Sequence, residues 1–136
     1  MDFVLDASIA LAWCFEDEMT AQSTHALLAL RECTAFVPHV WPLEMANILV
    51  QAEKRQRISY VEMTQFINLV STLQIEVDTE TATKEFTAVL QLAYTEKLSA
   101  YDAAYLELAI RKGLPLASKD QALCKAACKR GIAMYE

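Results

Sequence analysis

The chain has 136 residues, 54% of them hydrophobic, with only two glycines and three prolines. That composition excludes a linker, a disordered tail or a low-complexity protein, and it suits one domain, spanning 1–136, that removes roughly two-thirds of its unfolded surface from water. Twelve Lys and Arg against 18 Asp and Glu leave a net charge of −6. This balance argues against a protein that coats nucleic acid electrostatically, but not against an enzyme that meets a phosphodiester through bound divalent cations.

No apolar run approaches the ~18 residues of a membrane span. Met1-Asp2 puts no basic residue ahead of the first apolar run, so no signal peptide is expected and a cytoplasmic location follows. The four cysteines, Cys14, Cys33, Cys124 and Cys128, have no zinc-knuckle spacing and read as small hydrophobes.

Phe3-Val4-Leu5 reads as a short buried strand with Asp6 at its carboxyl end. Ser8 is placed to cap a helix read over Ile9 to Phe15. Glu16-Asp17-Glu18 is an acidic bend, and Thr20 to Leu30 has the helical period. Ala35-Phe36-Val37 is a second strand, stopped by Pro38. Pro42 suits the first turn of the next helix, which carries Met45, Ile48, Leu49 and Ala52 on one face and ends in Lys54-Arg55-Gln56-Arg57.

Ser59 and Glu62 form a capping-box pattern opening a helix to about Leu73. Gln74 to Val77 alternates as a third strand, and Thr79 to Tyr94 reads as one helix with Ala82, Phe86, Val89, Leu90 and Ala93 in a stripe. Ser99 caps a helix to Lys112, and Gly113 stands where a left-handed residue is expected. Leu114 to Ala117 is a fourth strand, Gln121 to Arg130 a helix, and Ile132 to Tyr135 a last strand.

Strands separated by helices predict an α/β protein, a three-layer α/β/α sandwich with a central parallel sheet of about five strands. In such a sheet four acids share one rim. Asp6 ends the first strand, and Glu44 lies in the first turn of the helix after the second. Asp102 lies in the first turn of the helix leading into the fourth strand, and Asp120 follows that strand. Ligands of open α/β sheets bind beyond the carboxyl ends of the strands. Clustered carboxylates repel one another unless a cation or a shared proton relieves them, and hard oxygen donors suit Mg²⁺ or Mn²⁺. Such an ion activates a water toward phosphorus.

Each acid also has a plainer reading: Glu44 and Asp102 as first-turn acids favourable to the helix dipole, Asp120 as an N-cap. A strand-end Asp6 flanked by apolar residues needs a partner in any case. Ser8 and Ser118 read equally as caps or as hydrogen-bond donors to the acids. Trp13, Trp41 and Tyr105 read as core.

Phe3-Val4-Leu5-Asp6-Ala7-Ser8, then Val37-Pro38 through Trp41, Glu44, Ala46-Asn47 and Leu49, resemble the PIN domain, and within it the VapC-type toxins of toxin–antitoxin pairs. The resemblance continues through Leu98 to Ala109 and Gly113 to Asp120 and closes on Leu123, Ala126-Ala127 and Gly131-Ile132. It implies an endoribonuclease with a Mg²⁺- or Mn²⁺-dependent site. Asp6 and Asp102 would be the firmest metal ligands, completed by Glu44 and Asp120. It also implies a homodimer, an RNA substrate and an antitoxin whose C-terminal segment fills the acidic groove. Ser118 stands where the family more often has Thr; the hydroxyl is kept.

Lys54, Arg55, Arg57, Lys119, Lys125 and Lys129 are candidates to line an RNA groove. Two other readings stay open. One is a haloacid dehalogenase-like phosphohydrolase with Asp6 as nucleophile, although a second Asp is expected there at position 8, which is Ser8. The other is a non-catalytic PIN-like binding module.

Overall fold

The computed structural model describes residues 1–135. The strands are β1 (Phe3–Leu5), β2 (Ala35–Pro38), β3 (Ile75–Asp78) and β4 (Leu116–Ala117). The helices are α1 (Ala7–Ala12), α2 (Ala21–Ala29), α3 (Trp41–Lys54), α4 (Tyr60–Ser71), α5 (Leu90–Glu96), α6 (Ala100–Lys112) and α7 (Gln121–Lys129). The strands form one parallel sheet in the order β3-β2-β1-β4. All three residues of β1 are buried, as in a strand covered on both faces.

The strand order carries a functional consequence. From β1 the chain steps to β2 and then β3 on one side, and it crosses back to place β4 on the other side of β1. With right-handed crossovers, α1 to α4 cover one face and α5 to α7 the other. Contacts agree: α1 packs on α2 and α3, whereas α6 packs on α5, α7 and the strands β1, β2 and β4. The order reverses between β1 and β4, which is where an open sheet leaves a crevice at its carboxyl edge.

Helix α6 is the centre of the packing. Its seven consecutive residues Ala103 to Ala109 are all buried. A helix covered all round loses the usual polar face. The one charge within that run, Glu107, is answered by Arg111 Nε at 2.8 Å, and the same guanidinium reaches Asp78 at the end of β3 and Glu80. Ser99 caps α6 by accepting from the Asp102 N–H, at 3.1 Å. Gly113 ends it at φ +64, with nothing within 4 Å of where a Cβ would stand. Gly113→Ala therefore meets backbone strain without a clash. It should lower stability by about 1 kcal/mol, read as a lower urea midpoint with unchanged slope.

Three sequence expectations need correction. The sheet has four strands, and Ile132 to Tyr135 supplies only one parallel bridge, Met134 to Leu116. Pro115 has no N–H to pair, and β4 is cut to two residues. Thr79 to Tyr94 is not one regular helix. A 3₁₀ turn at Glu80–Lys84 is followed by a π turn at Glu85–Val89 before α5 begins. The changed pitch rotates the stripe, so Val89 and Leu92 are buried and Phe86 is 88% exposed. Finally, Ser8 lies inside α1, and Asp6 holds its N-cap position. No helix among the described residues is long and apolar enough to cross a membrane.

Candidate active site

Asp6, Glu44, Asp102 and Asp120 line one pocket of about 350 Å³, with Ser8, Glu18, Ile48 and Lys119 around them. The strand register explains half of this. Leu5 pairs with Ala117, and the Asp6 N–H donates to the Ala117 carbonyl at 3.0 Å. The next residue on each strand, Asp6 and Ser118, must then stand side by side. Glu44 comes from the first turn of α3 and Asp102 from the first turn of α6. A larger cavity of about 800 Å³, beside Leu90 and Tyr94, is mostly apolar, and its Glu107 and Arg111 neutralise each other. The chemistry gathers in the smaller pocket.

Asp6 is 5% exposed. Its Oδ2 accepts from Ser8 Oγ and from Ser118 Oγ, each at 2.7 Å. Those hydroxyl oxygens accept in turn, Ser8 from the Lys119 N–H at 2.9 Å and Ser118 from the Asp120 N–H at 3.0 Å. Two serines thus lock the 118–120 turn onto the Asp6 carboxylate. Of the two roles open for Ser8, the geometry is that of a donor to the acid. Asp120 also caps α7, accepting from the Leu123 N–H at 2.9 Å through Oδ1. Its plainer role and its place in the pocket therefore coexist.

The carboxylates destabilise one another's charge. Burial pushes Asp6 above the usual carboxylate range, against the two serine hydroxyls, and the charge of Asp120 adds to it. Burial, Asp6 and Asp102 push Glu44 up, while Tyr105 opposes. Asp102 is raised to about 6, by burial first and then by Asp120 and Asp6. The nearby cation, Lys119, does not relieve them through its ammonium, which donates to the Glu18 carbonyl at 2.6 Å.

Two further residues, read from the sequence only as an acidic bend and as core, belong to this site. Glu18 lines the pocket and pairs with Arg57 at 3.0 Å, so the acidic bend is part of the rim. Tyr105, fully buried, donates its hydroxyl to Glu44 Oε1 at 2.7 Å. Burial and the Glu44 charge push its phenol well above its ordinary range, which keeps it a donor. Its signal was present in the sequence: Tyr105 follows Asp102 by three helical positions and so shares its face. Trp41 is buried as core, and Trp13 anchors its indole N–H on the Ser23 carbonyl at 2.7 Å.

The donor set is four carboxylates with serine hydroxyls, all hard oxygens. No three acid, His or Cys side chains among the described residues stand close enough to close a cage on an ion. Mg²⁺ does not require one: it keeps several waters and takes one or two carboxylates directly. The mutual destabilisation of the acids fits a cation, whose charge would oppose the upward shifts of the carboxylates.

The molecule is thus a doubly wound α/β protein with an acidic pocket at the switch point of its sheet. Residues 3–129 match the PIN domain, and the chain belongs to that family. No curated protein matches the sequence. Among solved structures the chain is similar to PAE2754 from Pyrobaculum aerophilum, at 20% identity and TM-score 0.69, over 93% of this chain and 84% of that one. It is also similar to VapBC2 from Rickettsia felis bound to a DNA fragment from their promoter, at 11% identity and TM-score 0.68, over 99% and 98%. A third is a toxin–antitoxin complex from Klebsiella pneumoniae, at 19% identity and TM-score 0.59, over 87% and 86%. Membership of the PIN family removes the haloacid dehalogenase-like alternative, and Ser8 is bonded to Asp6 where that chemistry needs a second aspartate.

Proposed function

We propose that this protein is a divalent-cation-dependent endoribonuclease acting as the toxin of a toxin–antitoxin pair. The observation that carries the reading is the convergence of four carboxylates from remote parts of the chain on one pocket, with Asp6 buried and held by two hydroxyls. PIN domains are generally nucleases, and similar folds occur in VapBC2 and in a toxin–antitoxin complex.

In this reading Asp6 and Asp102 hold Mg²⁺ or Mn²⁺, and Glu44 and Asp120 complete the cluster directly or through water. When bound, the ion would supply charge neutralisation at the phosphate and a bound water more acidic than bulk water. The chain's own groups do the rest. Ser8 and Ser118 fix the Asp6 rotamer, and the caps on α6 and α7 fix Asp102 and Asp120. The RNA groove draws on Lys119 at the rim, and on Lys54, Arg55 and Lys125 outside it. Arg57 and Lys129 are committed to Glu18 and Glu96, at 3.0 and 3.4 Å.

The antitoxin in this reading answers the acids with basic side chains. A homodimer would cover the exposed apolar residues Phe86, Leu90 and Tyr101, which share one groove. A non-catalytic module leaves the repelling acids without a purpose.

The test is cleavage of end-labelled cellular RNA by purified protein with Mg²⁺, with Mn²⁺ and with EDTA. Fragments that need the ion, and that disappear in the Asp6→Asn/Asp102→Asn double variant, are expected. Cleavage that survives EDTA, or that the double variant reproduces, would overturn the assignment.

A further inference from the structure

We propose that Tyr105 is a positioning residue for Glu44, holding that carboxylate where it can serve a divalent cation in the acidic pocket; this rests on the metal-dependent reading above. Glu44 stands in the first turn of α3 and lines the pocket. Its hydrogen bond comes from Tyr105 across 61 residues of sequence, through a hydroxyl at 2.7 Å from Oε1. Tyr105 is 0% exposed, and it sits in the middle of the buried run of α6. A ring fixed on all sides is a rigid mount, so the hydroxyl position is set by the core and not by the pocket.

Glu44 Oε1 is anchored to the core by Tyr105, and the same side chain lines the pocket with Asp6, Asp102 and Asp120. Without the anchor, the repulsion of Asp6 and Asp102 would act on a carboxylate no longer tied to the core. Tyr105 ties three elements of the site together. Its hydroxyl bonds α3, its backbone belongs to the helix that carries Asp102, and the Asp6 charge bears on its phenol. Partners that orient a metal ligand typically change metal affinity by roughly 10–100-fold.

The test is a double-mutant cycle on Mn²⁺ binding, followed by titration calorimetry or by the loss of the free-ion paramagnetic signal, with no RNA present. Wild type, Tyr105→Phe, Glu44→Gln and the double variant are compared, each first checked for an unchanged far-ultraviolet spectrum and a cooperative melt. Tyr105→Phe should weaken Mn²⁺ binding by roughly tenfold, and it should add nothing once Glu44 is Gln. A Tyr105→Phe variant that binds Mn²⁺ as wild type does overturns the proposal, and a wild type that still binds the ion leaves the metal reading standing. Losses that multiply in the double variant also overturn it, since Tyr105 would then act on the fold and not through Glu44. Absence of Mn²⁺ binding in the wild type overturns both at once.

Discussion

Asp6→Asn is expected to lower metal-dependent RNA cleavage by more than about 10²-fold, beyond what loss of a merely orienting partner costs, while making the metal-free protein more stable. The two effects have one cause. Asp6 is 5% exposed, and burial together with the charge of Asp120 raises its pKa, so the folded chain bears an unfavourable carboxylate at neutral pH. An asparagine keeps a carbonyl oxygen for the Ser8 and Ser118 hydroxyls, and it removes the charge. In a chain of this size about 1 kcal/mol moves the melting midpoint by roughly 4 °C. A rise of that order in EDTA, paired with lost cleavage, is the signature of a residue kept for function at the expense of stability. A destabilised Asn variant would mean that Asp6 serves the fold. Such a result would count against the ribonuclease reading as strongly as retained activity.

What the sequence disclosed, and what it concealed, divides along physical lines. The alternation of apolar strands and periodic helices identified the parallel α/β layout. From that layout alone the four acids could be assigned to one edge, because a strand's end and the following helix's start share it. The lengths of Pro-limited β4 and of the C-terminal pairing could not be read, since β-propensity in Ile132 to Tyr135 says nothing about whether a neighbour has N–H groups to offer. The stripe through Phe86 failed because periodicity assumes one pitch, and this segment passes from 3₁₀ to π before becoming α.

Within the site, the sequence placed residues at an edge but could not orient side chains. For Ser8 the sequence leaves a cap and a donor to the acids equally open, and only the geometry selects the donor to Asp6. Tyr105 was assigned to the core by its context, which is correct for its ring and misses its hydroxyl. Glu18 was hidden because its approach to the pocket depends on a three-residue turn pinned by Arg57 from the end of α3, a contact across 39 positions.

The pH dependence of metal binding and of stability should have opposite signs, and Asp102 is the group that makes this measurable. Its carboxyl titrates near 6 in the folded protein, against an ordinary value of 3.8. Between those values the folded chain holds a proton that the unfolded chain has released. Stability associated with Asp102 is therefore fully present below pH 3.8 and is lost as pH rises through 6. Asp102→Asn does not titrate. In EDTA its melting midpoint should match wild type most closely near about pH 4 and exceed it above about pH 7.

A divalent cation needs the carboxylate charged. Protonation of Asp102 alone should weaken Mn²⁺ binding to wild type roughly tenfold between about pH 7.5 and pH 5, and Asp6 and Glu44, both raised, should steepen the fall. Binding to the folded chain alone adds stability in proportion to the logarithm of free ion over Kd. Millimolar Mn²⁺ should then reverse the order at neutral pH, with wild type melting above Asp102→Asn. Calorimetric melts of the two proteins at both pH values, with EDTA and with Mn²⁺, test all of this together. If the two melting curves stay parallel across pH, or Mn²⁺ fails to invert them, Asp102 is not the ion's carboxylate. The acidic cluster would then owe its presence to something other than a metal.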